Sequence, residues 1–231
     1  MKKFLYFFLS GIICLTACNE DGGDGSYDDI AVRTVIESEE SSTADIRVYV
    51  EGSDGNALTG SVVLLRDSQN RVKNLEFDPY KYCYTGSAAI PGDGLFFVKV
   101  RSLAMEYARE FTVPHVILSE KPVVSTFQDA DGSSVLSGQG LSSVKEIMVA
   151  WNSAGSGSIV YQVSVKTALH TLYSVSTSAN NISIPASTLP AGNNYMFVIV
   201  AQKIFGDPFF EISDYYSVSV IRGAMVSFNV L

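Results

Sequence analysis

The sequence is poor in the side chains that carry covalent and metal chemistry. Its 231 residues include three cysteines and one tryptophan, with two histidines. Cys14 and Cys18 stand close to the N-terminus, which leaves Cys83 alone in the body of the chain. A lone cysteine closes no intramolecular disulfide, so the fold must hold through apolar burial. Cys83, between Tyr82 and Tyr84, reads as a small buried side chain. His115 and His170 lie in no motif and read as plain surface or strand residues. A hydrolase needs a nucleophile, a base and an orienting group in mutual reach, and the sequence offers no Gly-x-Ser-x-Gly elbow. No His or Cys pair has metal-ligand spacing, and no Gly-rich phosphate loop opens a helix. Asp129-Ala130-Asp131-Gly132 starts like a calcium loop but lacks the later ligands, so a turn is expected there. The reading is of a non-catalytic chain without cofactor or metal. Paired carboxylates far apart in the chain are the one enzymatic pattern left open.

Basic charge is scarce as well. Lys and Arg total 16 against 24 Asp and Glu, a formal −8, and there is no basic run. This argues against nucleic-acid binding and against polybasic docking on anionic lipid. Helical periodicity is nearly absent. An apolar content of 47% with 17% charged residues still describes a folded protein.

What is present begins at the N-terminus. Lys2 and Lys3 precede an apolar stretch from Phe4 to Ile13, followed by Leu15-Thr16-Ala17-Cys18. A basic start, a short apolar core and small residues form an export signal, and a membrane-spanning helix needs about 18 or more apolar residues. Leu15-Thr16-Ala17-Cys18 resembles the lipobox of bacterial lipoproteins. That resemblance implies a signal peptide at 1–17, cleavage before Cys18, a diacylglycerol on its sulfur and acylation of the new amine. One chain holds a protein only marginally, whereas two or more anchor it to the membrane. Residues 18–30 then form an acidic tether, since Asn19 to Asp29 has no apolar periodicity and is expected to be flexible and solvated. Acidic residues just past the cysteine resemble the surface-export signal of Bacteroidetes lipoproteins, which implies the outer membrane with the chain facing the exterior. A generic linker would leave it facing the periplasm.

Beyond the tether, β-rich runs alternate with Gly, Pro, Asn, Asp and Ser, which predicts an all-β chain of two tandem immunoglobulin-like β-sandwich domains. Ile46, Val48 and Val50 alternate with Arg47, Tyr49 and Glu51. Val62 to Leu65 and Leu95 to Val100 follow, and Phe111 to Leu118 is expected to close a first sandwich over 31–118. Ser119-Glu120-Lys121-Pro122 marks the boundary to a second over 119–231. There Tyr161, Val163 and Val165 alternate with Gln162, Ser164 and Lys166, and seven runs fit a Greek-key sandwich.

Val149-Ala150-Trp151-Asn152 and Leu189-Pro190-Ala191-Gly192-Asn193-Asn194-Tyr195 resemble two strands of the fibronectin type III family. The resemblance covers about residues 120–231. It implies that Trp151 packs the core, that Leu189 plugs it and that the Tyr195 hydroxyl braces a corner. The stretch Phe209 to Leu231 is long for one closing strand, and Gly223 is expected to break it. Ile46 to Leu65 more weakly resembles the transthyretin-like or carboxypeptidase-regulatory sandwich.

Aromatic residues are the remaining candidates for binding. Tyr80, Tyr82 and Tyr84 recur at period two and are expected on one strand face, where open phenol rings could stack on a sugar or anchor a protein. Phe209 and Phe210 sit where the resemblance to fibronectin type III domains implies the loop between the sixth and seventh strands, a recurrent binding loop in that family. The function these features imply is a lipid-anchored, non-catalytic module recognising a protein or glycan in an outer-membrane assembly. The alternative is a fimbrial subunit that donates the apolar tail Met225 to Leu231 to a neighbour's edge. Mass spectrometry of the native protein should find a mature N-terminus at Cys18 carrying acyl chains; a bare thiol or a retained leader would end the anchored reading.

Overall fold

A computed structural model of the chain describes residues 30–67, 69–102, 107–211 and 213–231. The signal peptide, Cys18 and all of the tether before Ile30 lie outside the described residues.

Seven strands build the first unit: β1 Ile30–Glu39, β2 Thr43–Gly52, β3 Ser61–Asp67, β4 Val72–Asp78, β5 Cys83–Ala89, β6 Leu95–Ser102 and β7 Tyr107–Pro114. Alternation builds them as expected. On β2 the residues Ala44, Ile46, Val48 and Val50 point inward, and on β6 Phe96, Val98 and Val100 do the same. β4 belongs to two layers: Val72 to Leu75 pair with β3, while Glu76 to Asp78 pair with β5. The order is therefore β1-β2-β5-β4-β3-β6-β7, folded over one apolar core.

The second unit comprises β8 Val124–Asp129, β9 Ile147–Trp151, β10 Val160–Lys166, β11 Thr171–Thr177, β12 Asn181–Ile184, β13 Asn194–Gly206, β14 Tyr215–Arg222 and β15 Val226–Asn229. One layer is β12-β9-β8. The other is β11-β10-β13 with β14 and β15 both on β13. Trp151 is buried edge-on against Tyr161, with ring centroids 5.4 Å apart. Leu189 is buried, and the Tyr195 hydroxyl donates to the Pro190 carbonyl at 2.7 Å. These are the packing roles that the fibronectin type III resemblance implied.

One boundary differs from the sequence reading. The closing strand of the first unit is Tyr107–Pro114, not Phe111–Leu118. Pro114 ends the ladder opposite Leu95, and Leu118 packs in the core of the second unit. The C-terminal stretch does break at Gly223, whose backbone sits against the Pro122 carbonyl where an added Cβ would collide. The tail is not a free strand, however. Asn194 to Phe197 pair with Val226 to Asn229, Phe228 and Val230 are buried, the Leu231 N–H donates to the Leu141 carbonyl and the Leu141 N–H to that of Asn229.

The units are joined by more than a linker. β14 pairs in parallel with β1, from Thr34 opposite Tyr215 to Glu39 opposite Val220, so a single sheet runs through both. Thr34, Val35 and Ile36 are consecutively buried, as are Ser217, Val218 and Ser219, because both faces of this pair are covered. At its upper end His115 is fully buried, which corrects its reading as a surface or strand residue. Nδ1 lies 2.8 Å from the Ser217 hydroxyl and Nε2 2.9 Å from that of Ser38. The Ser219 hydroxyl accepts from the Leu118 N–H at 3.2 Å, which ties the linker to the same network. Around the rim, Glu40 receives Lys121 at 3.0 Å and the Arg222 N–H at 2.9 Å, while Arg222 also reaches Glu39 at 2.7 Å. Partly exposed ion pairs contribute about 0–1 kcal/mol each. The seam therefore depends mainly on its backbone ladder and apolar burial.

Burial pushes the His115 imidazole down from 6.5 to about 4, so the folded chain holds it neutral. The unfolded chain binds that proton below pH 6.5. Stability fully present above pH 6.5 is thus lost as pH falls towards 4, amounting to about 3 kcal/mol. Urea midpoints measured between pH 7 and 4 should show this slope, and His115→Gln should flatten it.

Candidate functional site

The strand registers bring the nominated turns to one end of the sheet. Ile30 lies opposite Gly52, Arg33 opposite Tyr49, and Val48 opposite Tyr84, while β14 begins beside Thr34. The β4–β5 turn, the β13–β14 turn, the β2–β3 loop and the first residue of β1 consequently share a pole. From β14 across β1 and β2 to β5 there are three inter-strand steps, which separates the two turns by about 14 Å.

Both turns are made the same way. In Asp78-Pro79-Tyr80, an Asp78 carboxylate oxygen accepts the Tyr80 N–H at 2.9 Å. In Asp207-Pro208-Phe209, an Asp207 carboxylate oxygen accepts the Phe209 N–H at 2.9 Å, and the Glu211 N–H donates to the same side chain at 2.7 Å. Proline presets the second position and the aspartate closes the loop on itself, which points the third residue outward. The Tyr80 N–H, first among several donors, holds the Asp78 carboxyl below its ordinary value. Gly206 opens the second turn at φ +76°, where a Cβ would run into the Tyr215 carbonyl oxygen, so only glycine fits.

The outcome for the five nominated aromatics is divided. Tyr80 is 93% exposed, Tyr82 68% and Phe209 79%. Phe210 is half-buried, with Arg33 5.9 Å from its ring centroid. Tyr84 is buried in the first core, where its hydroxyl donates to the Leu58 carbonyl at 2.7 Å and accepts the Ser61 N–H at 2.8 Å. The expectation of one shared strand face for Tyr80, Tyr82 and Tyr84 is therefore wrong. β5 starts only at Cys83, and Tyr82 adopts φ +52° within the turn, so period two does not apply there. Cys83 itself is buried, and burial pushes its thiol up, away from reactivity. Lys81, on the same turn, was not singled out from sequence; it reaches Asp78 at 3.5 Å.

The other chemical candidates resolve into structure. Asp129 is buried, and its carboxylate accepts the N–H groups of Asp131, Ser133 and Ser142 at 3.0–3.1 Å, so the residues that start like a calcium loop form a braced turn. His170 is exposed in the β10–β11 turn, where its N–H donates to the Thr167 hydroxyl at 3.1 Å. Among the described residues, no group of three or more His, Cys, Asp or Glu stands where it could hold a metal ion.

No family model matches the chain, and no curated protein does. Solved structures similar to it include a cytokine receptor complex (crystal form 1A; 9% identity, 85% of this chain and 95% of that one, TM-score 0.41). A second crystal form of a cytokine receptor complex gives 10% identity over 73% of this chain and 89% of that one, with a TM-score of 0.39. The FN1–FN3 domains of chicken CNTN1 give 12% identity over 90% of this chain and 64% of that one, with a TM-score of 0.48. These identities and scores are low, and the fold assignment rests on the strand pairing of the chain itself.

The division of the tyrosines has a measurable counterpart. Tyr84→Phe leaves the buried Ser61 N–H and the Leu58 carbonyl without their partner and should cost about 1–3 kcal/mol. Tyr80→Ala and Phe209→Ala should stay within about 0.5 kcal/mol in the same denaturant titration, because both side chains face solvent.

Proposed function

We propose that the chain is a lipid-anchored, non-catalytic binding module of the outer membrane that meets its partner with the aromatic pole. The carrying observation is the pair of Asp-Pro-aromatic turns, built alike from separate parts of the sequence and presented at one end. Exposed aromatic rings on braced turns lose little conformational freedom on contact and offer large apolar area, which suits recognition. The lipobox resemblance at Leu15–Cys18 supports the anchor, and the acidic stretch after it supports the exterior face. The non-catalytic reading draws support from His115, whose two nitrogens are engaged by serine hydroxyls in a buried seam.

The sequence left protein and glycan partners open, and the pole's position narrows where contact occurs. β1 runs away from the pole, so a chain anchored through Cys18 is held by that same end. The partner is then a component of the membrane in which the chain sits rather than a solute on its far side. The fimbrial alternative has less support, since the tail that would be donated is zipped to β13 and its Phe228 is in the core.

A photo-crosslinking residue placed at 80 or at 209 in cells should give adducts that stay with the outer-membrane fraction. The same residue at Leu169, which is 85% exposed in the β10–β11 turn, should not. Equal adducts at all three positions, or none at 80 and 209, would remove the pole as the contact surface.

A further inference from the structure

Resting on the anchored reading, the geometry points to the bilayer interface itself as the surface that the pole contacts, with Tyr80, Tyr82 and Phe209 seated among the lipid headgroups. The first argument is reach. Cys18 and Ile30 are separated by twelve residue steps, and an extended chain of that length spans at most about 40 Å. Counting rungs upward from Ile30 through β1, β14 and β13 places Asn194 about 55 Å along the sheet from the pole. An acyl group on Cys18 therefore keeps Ile30 within about 40 Å of the membrane, whereas the far end of an upright chain stands further off than the tether reaches.

The second argument is the chemistry of the tips. Tyrosine and phenylalanine have a flat apolar body, and tyrosine adds a polar hydroxyl, the combination enriched where hydrocarbon meets water. The exposed rings stand on two turns about 14 Å apart, a spacing suited to two shallow contacts with a surface and too wide to sandwich a single small ligand. The Asp78 and Asp207 carboxylates fold onto the N–H groups of Tyr80 and Phe209, which leaves the rings foremost. The local charge balance is acidic: Asp78, Asp207, Glu211 and Asp214 stand against Lys81 and Arg109, which reach Asp78 and Asp214 respectively. Contact is thus carried by aromatic burial and not by attraction to anionic lipid, so it should withstand salt and weaken when anionic lipid is added.

The strands of the described residues all lie from Ile30 onward, so protein beginning at Cys18 retains them and can be coupled through that thiol to a maleimide-headgroup lipid in phosphatidylcholine vesicles. Cys83 is buried and does not compete. Tyr80→Trp, Phe209→Trp and Leu169→Trp variants are then compared in vesicles with and without brominated phosphatidylcholine. Trp151 is 3% exposed within the second core and gives a constant background. Loss of emission at 80 and 209, absent at 169 and reduced by added phosphatidylglycerol, is the expected result. No loss at 80 and 209, equal loss at all three, or loss that appears only when outer-membrane proteins are co-reconstituted overturns it, the last in favour of a protein partner. Because the coupling is chemical, this outcome does not depend on acylation in the cell. A bare Cys18 thiol in native protein defeats the anchored reading, while absent quenching defeats bilayer contact alone.

Discussion

The parallel pairing of β14 with β1 is the constraint from which the rest of the molecule takes its form. It turns two sandwiches into one sheet and covers both faces of the paired strands. It also fixes the height of the β13–β14 turn beside the start of β1, and with it the composition of the pole. Without that register, Phe209 and Tyr80 would belong to unrelated parts of two separate domains. The linker that follows Pro114 is correspondingly not a hinge. His115 and Leu118 are both buried, one in the seam and the other in the second core.

Buried polar groups in the seam make its alignment specific. An apolar seam could slide by two residues and still bury its faces. The imidazole of His115 meets Ser38 on one strand and Ser217 on the other in a single register, and a slip would strand buried donors and acceptors at about 1–3 kcal/mol each. The network thus adds little attraction beyond what the ladder supplies, but penalises alternatives.

Legibility in the sequence followed the number of faces each strand exposes. β2 and β10 bury one face, so alternation identified them, and the corner formed by Leu189, Pro190 and Tyr195 was recognisable from a short motif. β1 and β14 bury three consecutive residues each and show no alternation at the seam, so nothing local announced their pairing across the chain. The tyrosines illustrate the converse error. Period two at Tyr80, Tyr82 and Tyr84 resembled a strand face, but Asp78-Pro79 is turn chemistry, and it overrides the spacing for the first two. The repeated Asp-Pro-aromatic tripeptide was visible in the sequence. That the two copies share a pole was not, because it depends on register.

The seam also sets the order in which the molecule can be completed. Its two strands lie far apart in the sequence, so β1 cannot find its outer neighbour until β14 has emerged from synthesis or export. Contacts so distant in sequence carry a large loop-closure cost and form slowly. Until they form, the outer edge of β1 is an unsatisfied strand edge able to pair with another chain. The first sandwich is thereby kept unfinished until the second supplies β14.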